Sequence, residues 1–232
     1  MEIVYPIMMI LSLILNIIVV LILSKKFSYS KVEVLLMVFL ENFGFIFGGK
    51  LFTFLLNGGE FDFFKVGFSS FGGLFGGLFV LFLYSIFTKT SFRYILLLFV
   101  PSIPLIYSLG KIGCFCSGCC YGIPYSGLFH VIYHKEGFEL LNVKLFPIQI
   151  IESIVFFVIF VWFMYIVFRK KINLCIILYE IFVCSFFKFI LDFFRYNHTY
   201  EYISKNQLIC LVLMIITFVF IINEKRKMKL LI

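Results

Sequence analysis

Charge is what this sequence has least of: 14% of its 232 residues are Asp, Glu, Lys or Arg, against 63% hydrophobic and 21% aromatic. A water-soluble fold of that composition could not cover its apolar side chains, so the chain is expected to be an integral membrane protein. Low-complexity linkers and convincing internal repeats are also missing, and residues 1–232 read as a single integral-membrane domain. The first apolar segment lacks a small-residue cleavage pattern and is followed by Lys25 and Lys26, so it is expected to stay as a helix rather than be removed as a signal peptide. Histidine is absent from every apolar stretch, since His130, His134 and His198 all fall outside them and read as surface residues.

What is present is long runs of apolar residues. Crossing hydrocarbon takes about 20 residues of helix. Seven segments meet or approach that length, at about 5–24, 33–56, 66–87, 93–112, 147–168, 172–194 and 206–223. The expected fold is therefore an all-α polytopic membrane protein with about seven transmembrane helices. Placing the N-terminus outside and the C-terminus in the cytoplasm puts twelve Lys and Arg, from Lys25 to Lys229, on cytoplasmic flanks. Five remain outside, namely Lys65, Lys135, Lys144, Arg195 and Lys205. That asymmetry obeys the positive-inside rule and accounts for the net charge of +8 without nucleic acid. The longest connection, about 123–146, then forms an extracytoplasmic loop.

Three cations are left inside apolar segments: Lys50, Lys111 and Lys188. A cation in hydrocarbon costs roughly 2.5–3.5 kcal/mol at a helix centre, so each needs an acid or an anionic ligand. The acids available in the same segments are Glu41, Glu152, Glu180 and Asp192. Lys111 opens the stretch GKIGCFCSGCCYG, Gly110 to Gly122, which reads as the floor of a site. Further along, FPIQIIE starts a helix at Pro147 and puts Gln149 and Glu152 three apart on one face. In KFILDFFR, Lys188, Asp192 and Arg195 share a helix face, and Glu180 and Cys184 extend that stripe. Gly44 with Gly48, Gly72 with Gly76 and Gly73 with Gly77 have the four-residue spacing that lets membrane helices approach closely. The run GFSSFGGLFGG, Gly67 to Gly77, carries more glycine than packing needs and is expected to line a cavity as well.

Four cysteines, Cys114, Cys116, Cys119 and Cys120, crowd into seven positions, and Cys116 with Cys119 has the C-x-x-C spacing. Strong metal sets come as two separated pairs, so the cluster reads mainly as packing and cavity lining. No metal and no cofactor is expected. A thiol-redox or metal-binding membrane protein is one alternative reading, and a non-catalytic lipid-binding or scaffold protein is another.

In order and topology these motifs resemble the prolipoprotein diacylglyceryl transferase family: GGKLF at Gly48 to Phe52, GFSSFGGLFGG, GKIGCF…GCCYG, FPIQIIE, and KFILDFFR followed by Gln207. The resemblance implies a multi-pass enzyme of the bacterial plasma membrane. It would move a diacylglyceryl group from phosphatidylglycerol to the lipobox cysteine thiol of a prolipoprotein, whose signal-peptide segment would be its partner. Carried onto this chain, the resemblance makes Lys111, Glu152 and Asp192 catalytic. It makes Lys50, Gly72, Gly73, Cys114, Cys119, Gly122, Gln149, Lys188 and Arg195 substrate-binding. The sequence departs from the family pattern at several of its positions. Lys111 stands for the signature arginine, Phe71 and Phe146 for histidines, Cys114 for an asparagine, and Cys119 falls near a glutamate. A family member with altered or lost chemistry is the corresponding alternative.

Overall fold

The computed structural model describes residues 4–27, 29–57, 67–134, 140–169, 173–196 and 202–230. Lys65, Lys135, Lys170, Lys171 and His198 lie outside the described residues. Among the described residues eight α-helices follow one another: α1 Val4–Ser24, α2 Lys31–Asn57, α3 Ser70–Thr88, α4 Phe92–Phe99, α5 Ile103–Ser117, α6 Ile148–Arg169, α7 Leu174–Asp192 and α8 Lys205–Leu230. A 3-10 turn at Val100–Ser102 joins α4 to α5, and that composite counts once among seven spans long and apolar enough to cross a membrane. Among the described residues no strand forms, and β pairing is limited to three isolated bridges.

Two expected boundaries move, each for a local reason. The fourth segment, expected as one helix over 93–112, is broken at the 3-10 turn and runs on to Ser117. Pro101 and Pro104 explain the break, since each lacks an N–H and its ring crowds the carbonyl four residues earlier. The extension ends at Gly118, in the left-handed region at φ 71°, while Cys119 N–H closes the helix end on the Cys114 carbonyl at 3.0 Å. The last helix continues past the expected 223 to Leu230. Its polar tail is made of good helix formers, with Lys227 paired to Glu224 at 3.2 Å.

The chain divides into two compact units, Met1–Ser12 with Val100–Ile232, and Leu13–Phe99. In the second unit α2 and α3 cross on glycine. A Cβ on Gly44 would stand 2.6 Å from the Gly76 carbonyl oxygen, and one on Gly76 would stand 2.7 Å from the Gly48 Cα. Backbone thus meets backbone, which is how helices associate in lipid, where no hydrophobic drive acts between them. The same crossing opens an apolar cleft of about 600 Å³ lined by Gly48, Phe52, Gly72, Phe75 and Phe79 among others. The glycine run therefore does both things expected of it: it packs and it lines a cavity. Asn16 of α1 donates to Glu41 at 2.8 Å, so that acid is met by an amide within its own unit.

Gly76→Leu is expected to wedge α2 from α3 and lower stability by about 1–3 kcal/mol or more, read as a fall in the unfolding midpoint in detergent. Gly110→Ala is the control, because a Cβ there meets nothing within 4 Å. An unchanged midpoint for Gly76→Leu would remove the glycine crossing as a source of stability.

In the first unit α5 packs on α6, α6 on α7 and α7 on α8. Leu145, fully buried, bridges to both Pro124 and Val131 and anchors the segment between α5 and α6.

Candidate active site

The polar groups of the first unit converge on one carboxylate. Glu152, in the first turns of α6, is fully buried and receives five close contacts. Lys111 Nζ of α5 lies 3.1 Å from its Oε2, and Lys188 Nζ of α7 lies 3.0 Å from Oε1. Arg195, just past α7, spans both oxygens with one nitrogen, at 2.8 and 3.1 Å. The Tyr107 hydroxyl donates to Oε1 at 3.0 Å. A second carboxylate, Asp192, lies 2.7 Å from Lys188 Nζ and 3.3 Å from Arg195 Nε, and accepts a short hydrogen bond from Ser204.

Helix periodicity builds this arrangement. Lys188 and Asp192 stack one turn apart at the end of α7 with Arg195 following just beyond it, and Tyr107 and Lys111 stack one turn apart on α5 with the ammonium 5.1 Å from the ring centre. Three cations against two carboxylates leave one positive charge in excess within the cluster. Burial alone would weaken the charge on Arg195. Glu152 outweighs that effect, and the guanidinium is held above its ordinary value.

Around the cluster, the loop after α5 is tied down by backbone. Ile123 N–H donates to the Phe194 carbonyl at 3.1 Å and Tyr196 N–H to the Tyr121 carbonyl at 3.1 Å, so Gly122 bridges antiparallel to Arg195. A Cβ on Gly122 would come within 3.0 Å of the Phe194 carbonyl oxygen, so only glycine lets the loop lie this close. Gly122 thereby fixes Arg195. Gln149, also buried, donates to the Cys119 carbonyl at 3.0 Å and to the Tyr133 hydroxyl at 3.1 Å, holding the cysteine turn from the side. Burial in turn pushes the Tyr133 hydroxyl up to about 12.

The structure thus brings Lys111, Glu152, Asp192, Lys188 and Arg195 into one network, with Gln149, Gly122, Cys114 and Cys119 in the loop and helix end beside it. Lys50, Gly72 and Gly73 belong to the other unit. There, Lys50 is half-buried on α2, Gly72 lines the apolar cleft, and Gly73 packs under the Phe45 ring. Glu180 is buried on α7 as the stripe required, but its two oxygens meet no donor among the described residues. Phe146 packs its ring 5.2 Å from Phe194 and 5.2 Å from Tyr125, an apolar setting.

Of the cysteines, the C-x-x-C pair is not the one that gathers. The sulfurs of Cys114, Cys119 and Cys120 lie within 4.8 Å of one another, while Cys116 stands apart from that group. The reason is the turn: Gly118 and Cys120 both take the left-handed region, at φ 71° and 54°, which folds the Cys119–Cys120 pair back on the end of α5.

Two members of the network are absent from the sequence reading. Tyr107 carries a signal after the fact, four residues before Lys111 on the same helix face. Ser204 carries a better one. Ser204-x-x-Gln207 spells a capping box, and in the structure Ser204 N–H donates to Gln207 at 3.0 Å while Gln207 N–H donates back to the Ser204 hydroxyl at 3.1 Å.

Fold and site together define a multi-pass helical membrane protein with a buried, net-cationic polar centre. The chain belongs to the prolipoprotein diacylglyceryl transferase family, whose profile it matches over residues 3–223. It is 33% identical over 138 residues to the phosphatidylglycerol–prolipoprotein diacylglyceryl transferase of Clostridium tetani, covering 56% of this chain and 55% of that one. To an enzyme of the same name, numbered 2, from Clostridium perfringens it is 33% identical over 88 residues, 38% of this chain and 34% of the relative. To that of Dehalococcoides mccartyi it is 27% identical over 165 residues, 70% of this chain and 64% of the relative. The matched regions thus span from a third to just under two thirds of these relatives' lengths.

Proposed function

We propose that this protein transfers a diacylglyceryl group from phosphatidylglycerol to the lipobox cysteine thiol of a prolipoprotein, in the bacterial plasma membrane. The observation that carries this reading is the excess positive charge of the Lys111, Lys188 and Arg195 cluster, buried at a helix bundle's polar centre. Phosphatidylglycerol brings one negative phosphate, the charge that the cluster lacks. In the reaction the sulfur forms a bond to the glyceryl carbon. The carbon–oxygen bond to phosphate breaks, and its electron pair leaves on the phosphate oxygen as glycerol phosphate. Preorganised cations around that oxygen lower the barrier because charge develops there as the bond breaks.

In this reading Glu152 and Asp192 hold the cations in place. Glu152 is not the base: a carboxylate has about four lone-pair sites, and its oxygens already receive Lys111, Lys188, Arg195 and Tyr107. The charge asymmetry of the flanks supports an outer position for the loop between α5 and α6, on the side where a prolipoprotein thiol would arrive.

Expression of this chain in a bacterium depleted of its own transferase tests the reading. Restored lipidation of lipobox cysteines is expected, together with label transfer from phosphatidylglycerol to a lipobox peptide by the purified protein. Folded protein that moves no label would overturn it.

A further inference from the structure

We propose that Cys114, Cys119 and Cys120 form a three-thiolate zinc site whose open fourth position takes the acceptor cysteine as a thiolate. The inference rests on the transfer reading and supplies the step that reading lacks, activation of the incoming thiol.

Geometry is the first support. Zinc–sulfur bonds of about 2.3 Å put the sulfurs of a tetrahedral site roughly 3.8 Å apart. The three sulfurs here already lie within 4.8 Å of one another, so small side-chain rotations close the triangle on a metal. Structural zinc takes four protein ligands, whereas catalytic zinc takes three and leaves a position open. Among the described residues the group contains three ligands and no more.

The backbone around the triad is built to keep it. Cys120 sits at φ 54°, a conformation that costs a non-glycine residue on the order of 1 kcal/mol and persists only where its surroundings fix it. Gln149 fixes the neighbouring carbonyl at 3.0 Å, and Cys119 N–H fixes the turn on the Cys114 carbonyl at 3.0 Å. Packing would be served by any small residues. It gives no reason for three sulfurs to point at one spot.

Chemistry is the second support, by elimination. The thiol triad cannot carry the lipid covalently, because alkylation of a cysteine gives a thioether that does not pass its alkyl group on. Disulfide chemistry would need an oxidant that the transfer does not supply. A base is still required, yet no histidine stands in any apolar segment, and the Glu152 oxygens are occupied. A metal-bound thiol needs no base, since coordination deprotonates it outright. The acceptor S–H proton goes to water as its sulfur binds zinc. The bound thiolate then attacks the glyceryl carbon and the phosphate leaves as before, with no change of oxidation state at zinc. Placement fits this course: Lys111 and Cys114 are one turn apart on α5, about 4.5 Å of helix rise. A phosphate held at Lys111 and a thiolate held at the cysteine triad would therefore sit on neighbouring turns of α5.

The test uses the full chain, purified through a tag that binds no metal. About one zinc per chain is expected, unchanged in Cys116→Ser and lost in the Cys114→Ser/Cys119→Ser/Cys120→Ser variant. Replacement of zinc by Co(II) in the unmutated protein should give a thiolate-to-cobalt charge-transfer band. A lipobox peptide should alter that band, and its cysteine-to-serine counterpart should not. No metal uptake by the unmutated protein, or a cobalt spectrum indifferent to the thiol peptide, would overturn the proposal. Full transfer by the metal-free triple variant would overturn it while leaving the transferase reading standing. A thiol-responsive cobalt site in a protein that transfers no lipid would support the metal site and count against the transferase reading alone.

Discussion

Glu152→Ala is expected to destabilise the protein by about 3–5 kcal/mol and to abolish lipid transfer. The side chain is fully buried and neutralises three cations from α5, α7 and the segment after α7. Without it those cations face one carboxylate, Asp192, and the buried excess doubles from one charge to two. Breaking a buried pair by deleting one partner costs more than the pair contributed, because the survivors are left desolvated and repelling. Glu152→Gln should sit between the two, keeping the hydrogen bond from Tyr107 and the shape while losing the charge. The unfolding midpoint in detergent, followed for both variants, separates charge from packing. A midpoint for Glu152→Ala within a degree or two of the unmutated protein would mean that the cations are neutralised elsewhere.

The helices were legible in the sequence because membrane helices announce themselves by length and hydropathy, and all seven spans were found within a few residues. One of the two boundaries that moved did so where local chemistry overrides hydropathy. Val100 to Ser102 is as apolar in context as its neighbours, but Pro101 and Pro104 remove the donors that a continuous helix needs. The buried charge cluster was legible for a related reason. In a chain with so little charge inside its apolar segments, Lys111, Glu152, Lys188 and Asp192 stood out, and residue spacing alone set the last two on one face. What spacing could not show was which residue is the hub. Glu152 and Gln149 share a face of α6, yet one gathers the cations while the other reaches the cysteine turn. That division depends on which helix packs on which side.

The cysteine stretch shows where pattern reading fails. C-x-x-C spacing picks out Cys116 with Cys119. In the structure α5 continues to Ser117, so Cys116 is half-buried on the helix while Cys114 faces the returning Cys119 and Cys120. Only the two left-handed residues, Gly118 and Cys120, produce that return, and a non-glycine in this region is not foreseeable from one sequence.

Lys111→Ala is expected to slow transfer by about 10²–10³-fold, the cost typical of removing one preorganised donor from a developing anion. It should leave the protein folded. The remaining Lys188 and Arg195 balance Glu152 and Asp192 charge for charge, so the network stays satisfied while the excess that attracts phosphate disappears. This is the opposite of the Glu152→Ala outcome, in which structure fails first. Lys111→Arg should transfer at close to the unmutated rate, because it restores the excess charge and adds a planar fork suited to phosphate. Initial rates with labelled phosphatidylglycerol and a lipobox peptide, beside unfolding midpoints, give both readouts. Lys111→Ala protein that stays folded and transfers lipid normally would take this lysine out of the mechanism, and with it the argument that the cluster's excess charge is what holds the phosphate.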